Sequence, residues 1–303
     1  MNDQTPSSLD RRDLIKLAAA GALVAAAPRG IAAPPKMRKL KKAVKYGMIE
    51  EGDTVLAKFE LLKELGFDGV ELDSPSNLDL DEVLEAKAAT GIEVPGVVDS
   101  VHWSKPFSAA DAAVRAEGCA ALETALRDCK KVGGTSVLVV PALVNAGTSY
   151  DDAYRRSQEE IGKLVPLAEE LGVDIAFENV WNNFLLSPME AARYVDEFES
   201  KRVGFHFDIG NIVLYGWPEQ WIRILGARIK KIDIKDYSRK KLNDEGRWAG
   251  FAVQIGEGDA GWPAAMKALD EIGYEGWGAA EVAGGKRERL AEIAANMDRV
   301  YAS

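Results

Sequence analysis

"LLKELGFDGVEL", residues 61–72, ends a helical stretch at a glycine and passes at once into a short apolar, β-rich run. The same order returns in "ALDEIGYEGWGAAEV" (268–282), and more weakly in "CKKVGGTSVLVV" (129–140) and "LAEELGVDIAFENV" (167–180). Each reads as an amphipathic helix end, a glycine where the helix stops, then a strand. Repetition of that unit marks a parallel α/β architecture. Strands are predicted at 43–49, 68–72, 94–99, 135–141, 174–180, 203–209, 229–235 and 277–282. Eight strands, each followed by a helical stretch, close naturally into a (β/α)8 TIM barrel, a single domain over 34–303. A doubly wound open sheet is the alternative, disfavoured because no "GxGxxG" follows the first strand. The longest irregular segment, 237–262, is expected to be functional, as a lid.

Bulk properties agree with one large core. The chain has 303 residues, 47% hydrophobic and 28% charged, with a formal net charge of −10. Outside the N-terminus there is no block of basic residues, which argues against a nucleic-acid groove and against attraction to an anionic membrane. Cys119 and Cys129 fall in one predicted helix, ~15 Å apart along its axis, too far for a disulfide. They read as small hydrophobes.

Residues 1–33 are a separate object. Asp10-Arg11-Arg12-Asp13-Leu14-Ile15-Lys16 precedes "LAAAGALVAAA" and a small-residue zone ending near Ala32 or Ala33. A charged start, an apolar stretch too short to span a bilayer and a cleavage zone make a signal peptide, here of the twin-arginine type. The expectation is export, to the periplasm or beyond, with no stable membrane association after cleavage.

Chemistry in such a barrel sits at the C-terminal ends of the strands. The polar residues there are Glu71, Asp99, Glu178, Asp208, Asp233 and Glu281. Four of them end four consecutive strands: Glu178 in "IAFENV", Asp208 in "FHFDIG", Asp233 in "KKIDIKD" and Glu281 in "GAAEV". Neighbouring strands lie ~4.8 Å apart, so these carboxylates should converge. Four buried carboxylates are untenable without compensation, and one divalent cation with oxygen ligands supplies it. The plainer alternative is that the acids cap helices or pair with Lys235, Arg239 and Arg287 around the rim.

The motifs "FENVWNNFLLSP", "FHFDIGN", "KKIDIKDY", "GEGD" and "AAEV", in that order, resemble the xylose-isomerase-like TIM barrels, particularly the ketose 3-epimerases and hexulose-phosphate isomerases. The likeness runs from about residue 43 to 300. It implies a metal held by Glu178, Asp208, Asp233 and Glu281, with Asp233 standing where the family has histidine. A shell of four carboxylates is harder than the family's, favouring Mn²⁺ or Mg²⁺ over Zn²⁺, with Co²⁺ also compatible. It also carries one more negative charge, which Lys235, of the same strand parity as Asp233, could offset.

The resemblance further implies proton transfer next to the carbonyl of a sugar through a metal-stabilised enediolate, with Glu178 and Glu281 as the acid/base groups. Substrate contacts are expected from His102, Trp181, Asn211, Lys235 and Arg239, and His206 is expected behind the metal ligands. Trp103, Trp217 and Trp262 also fall in loops after strands. The partner expected is a small sugar, unphosphorylated in view of the export signal, and a homodimer is compatible with the family. Two other readings stand beside epimerase or isomerase: a lyase eliminating the aglycone of a 3-keto-glycoside, and a non-catalytic sugar-binding barrel. With only two histidines, a three-zinc endonuclease site is excluded in practice.

Overall fold

The structure, a computed structural model, describes residues 38–303; the expected signal segment, 1–33, lies outside the described residues. Eight strands form a closed parallel barrel: β1 (Leu40–Lys45), β2 (Gly69–Ser74), β3 (Gly96–Asp99), β4 (Ser136–Val139), β5 (Asp174–Glu178), β6 (Val203–Asp208), β7 (Ile229–Ile234) and β8 (Gly276–Ala280). Each pairs with its sequence neighbours, and β1 closes on β8 with Val44 opposite Ala280. This is the TIM barrel that the repeated helix–glycine–strand unit predicts. Gly172 shows why the glycine is needed: it ends the helix Val165–Leu171 at φ 70°, where a side chain would be strained.

Boundaries moved most at β1, predicted at 43–49. The strand begins at Leu40, and Tyr46–Met48 is a 3-10 turn. Lysines concealed its start: Lys41 lies over the Trp277 ring and reaches Glu93, and Lys42 reaches Asp298, so both charges find partners beyond the strand. Cys129 is buried and Cys119 half-buried, and both are free.

One irregularity matters for the centre of the barrel. Between β6 and β7 the register runs Phe205 opposite Ile229, then His206 opposite Lys231 and Asp208 opposite Asp233. Lys230 is the extra residue. Were Lys230 paired in the ladder with no shift, Asp208 would face Ile232, and Asp233 would sit on the opposite side of the sheet from Asp208.

The 237–262 segment is largely ordered into local structure: a helix at Arg239–Glu245, a 3-10 helix at Arg247–Phe251, then turns. Its anchor is Asp236, just past β7 and almost fully buried. The carboxylate accepts from the backbone N–H of Tyr237, Gly256, Gly258 and Ala260 and from the indole of Trp262, at 2.9–3.1 Å. Asp236→Ala leaves several buried donors unsatisfied, each costing ~1–3 kcal/mol. The expected outcome is a clearly lower melting temperature and new proteolytic cleavage within 246–260. An unchanged melting curve and digestion pattern would show that the segment does not hang on this carboxylate.

Candidate metal and active site

At the C-terminal mouth of the barrel, Glu178, Asp208, Asp233 and Glu281 each bring an oxygen to within 4.8 Å of all the others. Glu178 ends β5, Asp208 ends β6, Asp233 is in β7 and Glu281 follows β8. The first three are buried, and Asp208 and Asp233 have no exposure at all. Asp208 also caps the short turn after its strand, its Oδ1 accepting from the Asn211 N–H at 2.8 Å. Asn211 in turn donates its side-chain amide to Glu178 Oε1 at 3.1 Å. Lys235 spans the other side, with Nζ 2.8 Å from Asp208 Oδ2 and 2.5 Å from Glu281 Oε2.

A second charged layer lies beneath. Lys45, from β1, places its ammonium 2.6 Å from Glu71 Oε2 and 2.9 Å from Asp233 Oδ1. His206 Nε2 donates to the same Asp233 oxygen at 2.9 Å. Lys231, buried at 2% exposure, lies 3.8 Å from Glu71 and donates to the Pro95 carbonyl. Gly96 makes room for it, since a Cβ there would collide with the Lys231 ammonium.

This layering revises the charge expected from the sequence. Asp233 finds its counter-charge in Lys45, not in Lys235, which is engaged by Asp208 and Glu281. Below the mouth, Lys45 and Lys231 match Asp233 and Glu71. Above it, Glu178, Asp208 and Glu281 face Lys235 alone, a formal deficit of two positive charges when all are ionised.

The carboxyl groups register that deficit. Glu178 is pushed well above the usual carboxylate range, by burial first and then by Glu281, with Asp208 and Asp233 adding and Lys235 opposing. Asp208 is raised to about 7, again by burial first, with Lys235 opposing and Glu281 and Asp233 adding. Asp233 goes the other way: burial works to raise it, but His206 and Lys45 hold it well below the usual range. It stays ionised, and its Oδ2 is buried without a hydrogen-bond partner. An ionised, orphaned carboxylate oxygen among three further oxygen donors fits a divalent cation.

Not every residue expected at the site reaches it. His102 is buried, its Nδ1 accepting from the Val140 N–H at 3.3 Å, and burial lowers its pKa to about 4. Its neighbour Trp103 is the residue of that loop that lines the mouth. Arg239 instead braces the loop after β6, donating to the carbonyls of Val213 and Gly216 and lying over the Trp217 ring. Trp262 is buried on Asp236. Asp99 is buried away from the cluster and raised to about 6 by burial, against a bond from the Val101 N–H.

Trp181 does stand at the mouth. Its indole donates to Asn211 O at 2.9 Å, and its ring stacks on Phe251 at 4.8 Å between centroids. A cavity of 340 Å³ is lined there by Trp103, Trp181, Trp248 and Phe251, with Glu178, Asn211, Lys235 and Glu281 at its polar side. Trp248, Phe251 and Lys45 escaped the sequence reading. Lys45 left one signal: a lysine inside a barrel strand must meet an acid.

The fold and the acidic mouth define a (β/α)8 barrel with carboxylates gathered at the C-terminal ends of its strands, and comparison with known proteins places it in a family. Residues 59–301 match the family model described as the xylose isomerase-like TIM barrel, and the chain belongs to that family. An L-ribulose-5-phosphate 3-epimerase (UlaE) of Escherichia coli O1:K1 is 26% identical over 253 residues, covering 78% of this chain and 86% of that protein. Among solved structures, the apo 3-keto-D-glucoside 4-epimerase YcjR from E. coli shares the fold with TM-score 0.74 and 19% identity, covering 88% of this chain and 100% of the other. The IOLI protein with a bound zinc atom matches with TM-score 0.72 and 20% identity, covering 87% and 98%.

Pairing across the two layers can be measured directly in chelator. Lys45→Met strands Asp233 and Glu71, and removing one partner of a buried pair costs ~3–5 kcal/mol. Adding Asp233→Asn to Lys45→Met should recover part of that loss. The expected coupling in a denaturation double-mutant cycle exceeds ~1 kcal/mol. Simple additivity of the two changes would remove Lys45 as the partner of Asp233.

Proposed function

We propose that the chain is a divalent-metal-dependent sugar isomerase or epimerase that moves a proton at the carbon next to a sugar carbonyl. The convergence of Glu178, Asp208, Asp233 and Glu281 oxygens within 4.8 Å is the observation that carries this reading. Those four residues would hold the ion. Four oxygen donors favour Mn²⁺, with Mg²⁺ or Co²⁺ as alternatives. When bound, the ion supplies the positive charge that an enediolate needs as the proton leaves.

The protein's own groups do the rest. Glu178 and Glu281 come from β5 and β8, on either side of the β6–β7 pair that supplies the two aspartates. Two bases flanking one sugar can take a proton from one face and return it from the other, which inverts the centre. Return to the neighbouring carbon gives isomerisation instead. Asn211 orients the Glu178 carboxylate, and Lys235 steadies Glu281. Trp103, Trp181 and Phe251 offer flat faces for the sugar's C–H surface and exclude water from it.

Two of the three similar proteins named above are epimerases, which supports the reaction class. The twin-arginine segment supports export as part of the same reading, and recovery of the mature chain in the periplasmic fraction is its measurement.

Purified protein reconstituted with Mn²⁺ is expected to hold one equivalent. At free metal ~100 times its Kd, the ion stabilises the fold by ~2.7 kcal/mol, visible as a melting shift that chelation reverses. Metal far below one equivalent with no such shift would sink the proposal. Glu178→Gln and Glu281→Gln should each lower solvent-deuterium exchange into ketose substrates by ~10²-fold or more, with the fold intact, because an amide cannot accept the proton. Exchange above about a tenth of wild type in both variants would remove the two glutamates as bases.

A further inference from the structure

The site has a second chamber. Beside the aromatic cavity at the mouth lies a larger one of 720 Å³, and the two adjoin at Lys235, Phe251 and Glu281, which line both. A 340 Å³ cavity is at the lower end of the range for small-molecule sites, enough for one sugar ring, whereas 720 Å³ lies in its upper half. A molecule reacting against Glu281 therefore has room for one unit on the aromatic side and another on the far side of Phe251.

The outer chamber's chemistry says what kind of unit fits. Its wall mixes apolar Val253 and Val282 with Lys241, Gln254, Glu257 and Arg289. The lining cations outnumber the acids, but Arg289 is paired with Glu292 and Lys235 with Glu281, which leaves Lys241 against Glu257 and no unpaired excess to select an anion. Arg289, the group best shaped to clamp a phosphate, is already committed: it donates to Gln254 Oε1, to Glu292 Oε2 at 2.6 Å and to the Ala283 carbonyl at 3.2 Å. Interspersed donors, acceptors and small apolar patches suit a neutral, hydroxylated group. The chamber is positioned by the loop that Asp236 pins, so it is preformed.

We propose that the substrate is a neutral glycosylated keto-sugar: the ring that reacts sits among the tryptophans, and a second sugar-like unit sits in the outer chamber. This rests on the sugar-epimerase reading of the same mouth, and it adds that the enzyme discriminates for a linked second unit and against a phosphate.

The test measures binding by calorimetry to Mn²⁺-loaded protein, with deuterium exchange in parallel, for D-fructose, D-fructose 6-phosphate, and the ketose disaccharides maltulose and lactulose. At least one disaccharide is expected to bind on the order of tenfold tighter than fructose, a difference of about 1.4 kcal/mol. Fructose 6-phosphate should bind no tighter than fructose. Val253→Trp, which narrows the outer chamber, should lower the disaccharide preference while leaving fructose binding unchanged. Fructose equal to or better than both disaccharides overturns the proposal, as does absence of disaccharide binding, or a preference for the phosphate. Metal uptake is read in the same titrations. If Mn²⁺ binds and monosaccharides exchange while disaccharides do not bind, this inference fails and the sugar-epimerase reading stands. Loss of metal binding itself is failure of that earlier reading.

Discussion

Convergence of four carboxylates at the end of parallel strands is the constraint that shapes the centre of this molecule. Parallel strands place their C-terminal residues side by side, and the barrel's closure then forbids those residues from spreading apart. Electrostatic repulsion in a buried mouth has to be met by cations, by protons or by both. Lys235 answers for one charge at the level of the mouth, and Lys45 answers for another from below. What is left over is a site in which Glu178 and Asp208 sit high in proton affinity while Asp233 stays ionised. The same imbalance fits the cluster for a divalent ion and for moving protons.

Compensation of Asp233 shows how a barrel centre accommodates an aspartate where a histidine would bring no charge. A neutral histidine offers one nitrogen and no charge, whereas an aspartate brings a full negative charge into the barrel. Here that charge is matched within 2.9 Å by the Lys45 ammonium, and one oxygen of Asp233 is used up by Lys45 and His206 together. The remaining oxygen is then the effective donor, so the aspartate stands toward the mouth much as a neutral single-atom ligand would. Glu71 and Lys231 complete the layer, which keeps Lys45 from being a lone buried cation.

Around this centre, the rim is held by hydrogen bonds as well as by the core. Asp236 gathers donors from Gly256, Gly258, Ala260 and Trp262, fixing the return of the long segment after β7. That segment then lays Phe251 and Trp248 against Trp181, forming one side of the inner cavity, with Phe251 lining the outer one as well. A loop tied down in this way presents an ordered aromatic surface without waiting for a ligand, which reduces the entropy lost on binding.

By itself the sequence determined the barrel and the four acids. Helix, glycine and strand recur because each unit must bury its apolar face against the next, and that requirement is written locally at positions such as Gly66 and Gly172. Since each strand has a known direction, the acids at its end could be placed at the mouth before any coordinates. Tertiary structure alone decided which side chains meet them. The extra residue Lys230 turns Asp233 to the face of Asp208, a parity change that no pattern of hydrophobicity announces. Closure of β1 onto β8 brings Lys45 to Asp233 across 188 positions of chain, and it was hidden because a lysine in a strand reads as solvent-facing. His102 and Arg239 show the matching point: a polar residue in a loop beside the site looks the same in sequence whether it faces the cavity or a backbone group such as the Val140 amide or the Gly216 carbonyl, to which these two are bonded. Local propensity fixes the elements; contacts between distant parts of the chain exist only once the barrel has closed.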